Sequence, residues 1–358
     1  MPTIETNLLR CPITKQNLRE ISANDLPSRA DVPNSFGNFT LSHGLVNDNN
    51  TYFFPIVEGI ALLLPSYAFY IGNELPEQQK MPFDKKRVFE YYNEIDYILN
   101  ENFSIYSDSA KWVDFRNVSS NYLKKSFIKA KDYLGSKGQY LLDVASGPIG
   151  LKEYIKLSEN FSVRICVDIS FKALIQAKWN LTNQEGIFIC ADIANLPLKE
   201  NTCDAVLCQH TLYHVPKDEQ GKAVEEMYRV AKPNSKIVIV YSQFYHSWLM
   251  NITLLPVQIY RIARHFAGKA FVQLRPASKP RLYFYPHSKQ WFYSHFSFSQ
   301  NIETYCWRSL NKYFLKIFVH KHLGGEKLLN WISQLETKHS KWIGKIGEYP
   351  MYVITKKG

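Results

Sequence analysis

The stretch LLDVASGPIG, Leu141 to Gly150, decides the fold. An apolar run ends in an acid, Asp143, and a turn of small residues follows. A β-strand that hands its loop to a nucleotide-type ligand has this order. A glycine-rich turn would place glycine at 145, 147 and 149, but this chain has Ala145, Gly147 and Ile149. Gly147 keeps the central position, where the backbone passes nearest a ligand. Ala145 adds one methyl group and fits where its φ is negative. Ile149 departs further, with Pro148 stiffening the turn and Gly150 following at once.

Outward from this stretch, strand and helix patterns alternate. Tyr140–Val144, Arg164–Asp168, Gly186–Ala191, Asp204–Gln209 and Lys236–Tyr241 read as strands. Val88–Leu99, Asn121–Leu134, Leu151–Leu157, Lys172–Asn180 and Glu219–Ala231 have helical spacing of apolar residues. The alternation predicts an α/β fold, with a parallel sheet covered by helices on both faces. Ligands of such sheets bind at the carboxyl ends of the strands. Asp143, Asp168 and Asp192 end three successive strands there. Asp168 follows Asp143 by 25 residues, near the spacing at which a carboxylate meets ribose hydroxyls.

Four passages in order carry a resemblance: LLDVASGPIG, RICVDISFKALIQAKWN, FICADIANLPLKENTCDAVLCQHTLYHV and EEMYRVAKPNSKIVIVYS. With them, residues 80–241 resemble a class I S-adenosylmethionine-dependent methyltransferase of the type 11, ubiquinone-biosynthesis-type group. The resemblance implies a Rossmann-like, doubly wound, seven-stranded sheet whose last strand is antiparallel. It implies S-adenosyl-L-methionine as cofactor and S-adenosyl-L-homocysteine as product. Asp143 with Ala145, Ser146 and Gly147 would lie under the methionine moiety. Asp168 would take the ribose hydroxyls, with Ile169 against the adenine. Asp192, beside Ile193, would accept from the adenine amino group, and Gln209 would face the methionine. His210 and His214 are candidate bases for a hydroxyl acceptor, His214 being preferred. Tyr213 would form a substrate wall. No Cys, His and carboxylate set in this block has metal spacing, so no metal is expected.

Residues 1–75 form a separate, small α+β block. LLRCPITKQNL followed by LVNDNNTYFFPIVEGIALLLP resembles a zinc-ribbon-like methyltransferase-activator domain. The metal pairs would fall at Cys11/Thr14 and Asn47/Asn50, so one thiolate of four ligands remains and zinc is not expected. The strand Tyr52–Leu64 should instead hold the block against the methyltransferase domain, residues 80–358.

The six cysteines show no C-x-x-C pair, and four lie in or next to apolar runs, which reads as a reducing compartment. There is no signal pattern, and the apolar stretches Ile60–Ile71 and Trp248–Ala263 are too short or interrupted to span a bilayer, so a cytoplasmic protein is expected. The net charge of +11 is uneven: residues 241–358 carry 17 Lys/Arg against 4 Glu. Such a field favours an anionic partner.

That basic third is also aromatic. The sixth strand is expected at Asn301–Trp307, after a helix at His287–Phe296, and the seventh at Tyr349–Thr355. Insertions at about 243–285 and 308–347 would then roof the substrate site. Arg281 and Tyr283 are the substrate contacts singled out, with Trp248, Trp291, Tyr260, Tyr285, Arg261, Arg264 and Arg275 as further aromatic and cationic lining. WLMNITLLPVQIYRIARHF suits a helix buried in the roof or lying at a membrane interface. The reading is O-methylation of a small acceptor, a saccharide or secondary metabolite, which phosphate or a lipid could carry. RNA or protein methylation is disfavoured, because CQHT stands where an Asn/Asp-Pro-Pro-Tyr-type tetrapeptide would place a base or glutamine nitrogen. A non-catalytic binding protein on the same fold is the third reading.

Overall fold

The computed structural model describes residues 5–26, 32–33, 35–72, 81–182, 184–257, 259–260 and 282–358. The first block supplies β1 (Leu18–Ser22), β2 (His43–Asn47), β3 (Tyr52–Val57) and β4 (Ile60–Leu62). Helix α1 (Phe83–Glu94) and the hairpin β5 (Tyr97–Asn100) and β6 (Phe103–Tyr106) follow. Next come α2 (Asn117–Ile128), β7 (Gly138–Val144), β8 (Phe161–Asp168), α3 (Phe171–Asn180) and β9 (Glu185–Cys190). The series continues with β10 (Cys203–Gln209), α4 (Gln220–Val230), β11 (Ala231–Val240), α5 (Trp248–Thr253) and α6 (Lys289–Ser294). It closes with β12 (Ile302–Arg308), α7 (Lys312–Phe318), α8 (Gly325–Lys338), α9 (Ser340–Ile346) and β13 (Tyr349–Thr355).

The strands β9-β8-β7-β10-β11-β13-β12 form the doubly wound sheet. Its pairs are parallel, except that β13 runs antiparallel to both β11 and β12. Alternate residues of β11 serve opposite faces. Ile237, Ile239 and Tyr241 meet α4 and α6, through Val224, Met227 and Phe292. Val238 and Val240 meet α2 and α8, through Tyr122, Phe127 and Leu329.

The sheet does not end at β9. β4 pairs parallel to it, with Ile60 opposite Phe188 and Leu62 opposite Cys190, and β3, β2 and β1 continue outward antiparallel. The first block is thus hydrogen-bonded into the same sheet, and it covers an edge that would otherwise offer unpaired N–H and C=O groups. The expected single strand Tyr52–Leu64 is two strands. Glu58 and Gly59, with φ of 52° and 73°, turn the chain between them.

Other boundaries shift for local reasons. The helix expected over Val88–Leu99 ends at Glu94, because Ile95 is extended and Tyr97–Asn100 pairs with Phe103–Tyr106. The helix at Leu151–Leu157 is one α-turn, Lys152–Ile155, followed by a 3-10 turn. The segment 309–348 leaves and re-enters at the carboxyl edge of the sheet, as expected of a roof, but α8 then lies along the α2 face. There the Tyr122 hydroxyl donates to Glu336 at 2.6 Å. About half of the other insertion, residues 261–281, lies outside the described residues, and Arg261, Arg264, Arg275 and Arg281 with it. Trp248 and Tyr260 are exposed, while Trp291 stacks on His287. No helix among the described residues is long and apolar enough to cross a membrane.

At the two turns where the resemblance puts a metal, hydrogen bonds join the chain. The Asn47 side chain is fully buried. Its amide donates to Gln16 at 2.7 Å and to Thr51 Oγ1 at 2.8 Å. Its carbonyl accepts from the Thr51 and Tyr52 amides at 3.0 and 2.8 Å. Cys11 Sγ accepts from the Thr14 amide at 3.3 Å. Asn47→Ala strands these buried groups, and should lower the unfolding free energy by about 2–4 kcal/mol in urea denaturation.

Candidate active site

The loop after β7 has a left-handed backbone at every second residue: φ is 55° at Ala145, 56° at Gly147 and 49° at Ile149. Ala145 therefore does not meet the condition of negative φ under which its methyl group fits without strain. The chain keeps a glycine-type path with two residues that resist it, at about 1–2 kcal/mol each. Ile149 is offset by burial among Ile155, Leu174 and Cys166. Such strain persists only where the surroundings over-determine it.

Asp168 supplies that constraint. One carboxylate oxygen accepts from the Gly147 amide and the other from the Ser170 amide, each at 2.9 Å. Burial pushes this carboxyl up to about 6, against the lowering effect of those two amides.

Helix α1 and the β5–β6 hairpin close over the strand ends. Ser170 Oγ donates to the Tyr92 carbonyl at 2.9 Å, and Asn180 bonds both the amide and the carbonyl of Ser104. The Tyr106 hydroxyl faces Gly147, where any Cβ would sit 3.4 Å from it. Tyr106, Tyr92 and His214 follow in a row, with ring centroids 5.5 and 6.3 Å apart. This wall was not anticipated. Its signal is the tyrosine-rich run FEYYNEIDYIL, read only as a helix.

Two of the three strand-end acids are already engaged. Asp143 is buried and ion-paired with Arg164 on β8, whose Nε donates to it at 3.0 Å. Arg164 also donates to the Tyr154 carbonyl at 2.7 Å. Asp192 caps the Ala194 amide with one oxygen and binds Lys85 of α1 at 2.5 Å with the other. Lys85 reaches Glu219 as well, at 2.8 Å. Ile169 packs beside α3, and Ile193 is buried on the opposite side of the sheet. Ser146 donates its amide to the Val167 carbonyl at 3.1 Å. Gln209 Oε1 is buried at the end of β10 and has no partner among the described residues.

The two histidines part company. His214 Nδ1 lies 2.8 Å from the Tyr283 carbonyl. A carbonyl only accepts, so Nδ1 carries the proton and Nε2 keeps its lone pair. Burial lowers its pKa to about 4. Tyr213 packs against His214 and Phe284. Tyr283 belongs here through its backbone, while its hydroxyl accepts from the Lys217 amide at 2.9 Å. His210, at φ 57°, turns instead toward Trp307 and Tyr349, with centroids 4.4 and 5.3 Å away. Burial, then the charge of Arg308, lowers its pKa to about 3.

The strain at Ala145 can be measured. Ala145→Gly should leave stability unchanged or raise it by up to about 1 kcal/mol, whereas Ala177→Gly, in α3, should cost about 1 kcal/mol. Urea unfolding of the two variants gives the comparison.

Residues 142–239 match the family described as "Methyltransferase domain". An uncharacterized protein of Methanocaldococcus jannaschii is 34% identical over 118 residues, 33% of this chain and 44% of its own length. The probable methyltransferase ltbC of Aspergillus luteorubrus is 35% identical over 107 residues, 27% of this chain and 38% of its own. The chain thus spans less than half the length of these curated relatives. A complex between the Haloferax volcanii Trm112 methyltransferase activator and a methyltransferase is similar at 13% identity and TM-score 0.40, over 67% of this chain and 94% of that one. The S-adenosylmethionine-dependent methyltransferase of Archaeoglobus fulgidus is similar at 14% identity and TM-score 0.38, over 66% and 95%. The matched residues 142–239 run from β7 through β11, the parallel part of the doubly wound sheet, and are similar to that methyltransferase-domain family.

Proposed function

We propose that this chain methylates an oxygen of a small acceptor, a saccharide or a secondary metabolite, with S-adenosylmethionine as donor. The single observation that carries the reading is the loop of Ala145, Gly147 and Ile149, held in a strained, glycine-type path by Asp168. The residues present fit the donor's methionine and ribose ends. Gly147 gives close backbone approach, the Asp168 carboxylate has a lone pair left on each oxygen, and Gln209 Oε1 lacks a hydrogen-bond donor. The adenine end fits less freely, since Asp192 holds Lys85. Ile169 and Ile193 would flank the base, with Ser146 and Asp143 behind the loop.

When bound, the donor supplies a methyl group that is already electrophilic. The protein's part is alignment, exclusion of water and removal of one proton. His214 is neutral at working pH. Its Nε2 would accept the hydroxyl proton as that oxygen takes the methyl group, while Tyr283 fixes the ring. Tyr92 and Tyr106 would keep water out. His210 faces away from this pair, so His214 is the base in this reading. The exposed side chains Trp248, Ile252, Leu255 and Ile259, in the basic third of the chain, support an acceptor presented at a lipid surface.

Two measurements test this. Hydroxyl donors from the ligand favour ionised Asp168, whose pKa without ligand is about 6. Affinity for S-adenosylhomocysteine should therefore be flat above pH 7 and fall roughly tenfold by pH 5, with proton release in calorimetry. A pH-independent affinity removes Asp168 from the site. His214→Ala should lower turnover by roughly 100-fold with cofactor affinity unchanged. Unaltered turnover would assign proton removal to solvent.

A further inference from the structure

The carboxyl end of β12 and the amino end of β13 hold a group of polar side chains that no step above uses. Arg308, the last residue of β12, is 4% exposed, and Trp307 and Glu348 are each 1% exposed. The Arg308 guanidinium lies over two rings, 4.6 Å from the Tyr349 centroid and 5.1 Å from that of Trp307. His210 completes an aromatic corner with them: its ring meets Trp307 at 72° and Tyr349 at 90°, and those two meet at 77°.

Within this corner three buried polar atoms have no hydrogen-bond partner among the described residues: Arg308 Nε, Trp307 Nε1 and Glu348 Oε2. Buried polar atoms are paired in the large majority of cases, so three on one rim call for a reason. Neighbouring acids are engaged elsewhere. Glu336 accepts from Tyr122, from the Ser309 amide and from the Ser309 hydroxyl. Asp114 is bound to Arg116. No carboxylate among the described residues lies within ion-pair distance of Arg308.

A buried cation without a counter-ion costs several kcal/mol. Its planar fork matches a carboxylate or phosphate group. The charge of Arg308 lowers the pKa of Glu348 against the effect of burial, but no ion pair joins the two. One Glu348 oxygen accepts from Ser242 Oγ at 3.2 Å. Burial holds its carboxyl up to about 7, so near neutrality Oε2 can carry a proton and present a donor. Two N–H donors and one carboxyl are thus unpaired on the rim where His210 meets Trp307 and Tyr349. Neutral hydroxyls would leave the charge of Arg308 unanswered, whereas an oxyanion answers it.

The geometry points to an oxyanion subsite formed by Arg308, Trp307 and Glu348, which holds a carboxylate or phosphate carried by the methyl acceptor. Only the word acceptor rests on the methyl-transfer reading; the subsite itself can be tested without it.

The experiment uses the full chain labelled with 15N-tryptophan, with Trp307→Phe assigning one indole N–H resonance. Sodium phosphate and sodium acetate are titrated at ionic strength held constant with sodium chloride. The Trp307 resonance should shift and saturate with at least one of the two anions. Which anion acts distinguishes a phosphoryl from a carboxylate source. Arg308→Met should weaken that binding roughly 30-fold or more, and Arg308→Lys, which keeps the charge without the fork, by less. No shift beyond that given by chloride overturns the proposal, and so does a shift that survives in both Arg308 variants. Either outcome would make Arg308 a water-capped structural residue. Calorimetry with S-adenosylhomocysteine separates the two readings. Oxyanion binding without cofactor binding sinks the methyl-transfer reading alone, and the reverse sinks the subsite alone.

Discussion

The Asp168 carboxylate accepts the Gly147 amide with one oxygen and the Ser170 amide with the other, and the rim of the sheet takes its shape from that pair of bonds. The first bond fixes the loop after β7 against the end of β8. The second starts α3, whose cap is the Ser170 hydroxyl. That hydroxyl also donates to the Tyr92 carbonyl, so the wall of α1 and the hairpin hangs from the same residue pair. A loop tied at its centre can hold left-handed backbone at Ala145 and Ile149. Untied, it would relax toward the extended conformations those residues prefer. The raised pKa of Asp168 follows too, because two amides do not replace the water that burial removes.

The first block makes a different kind of contribution. β4 adds to the parallel sheet by backbone pairing, which asks little of side-chain identity. Its outer turns are joined by the hydrogen bonds of Asn47. A buried amide that makes both donor and acceptor bonds can order a turn without a metal, provided every bond is made. Asn47 meets that condition through Gln16, Thr51 and Tyr52.

Legibility in the sequence followed period and punctuation. Five parallel strands with runs ending at Val144, Asp168, Ala191, Gln209 and Tyr241 could be read, each within one residue of the observed end, because buried parallel strands are continuous in hydrophobicity. The antiparallel β13 was placed to the residue, from its run YPMYVIT together with the strand order that the resemblance implies. The pairing of the strand-end acids could not be read. Asp143 and Asp192 look identical to Asp168 along the chain, yet Arg164 and Lys85 reach the first two from β8 and α1. Such partners are set by register and helix docking, neither of which local pattern encodes. The sign of φ at Ala145 was left open for the same reason, since it is imposed by Asp168 from the next strand. The tyrosine wall escaped because aromatic residues at mixed spacing fit a helix and a hairpin equally well.

These pairings leave the rim electrically divided. Asp143 meets Arg164 and Asp192 meets Lys85 across neighbouring elements. Outside these pairs stand the Asp168 carboxylate at the end of β8 and, beside Glu348, the Arg308 guanidinium at the end of β12. Five strand spacings separate them in the order β8-β7-β10-β11-β13-β12. At about 4.8 Å each, that is roughly 24 Å, too far for either to answer the other. Hydroxyl donors at one end and an oxyanion at the other would satisfy both, with His214 and Gln209 between them. A donor nucleoside over β8 and an anionic acceptor over β12 meet that requirement in a way that no single small ligand does.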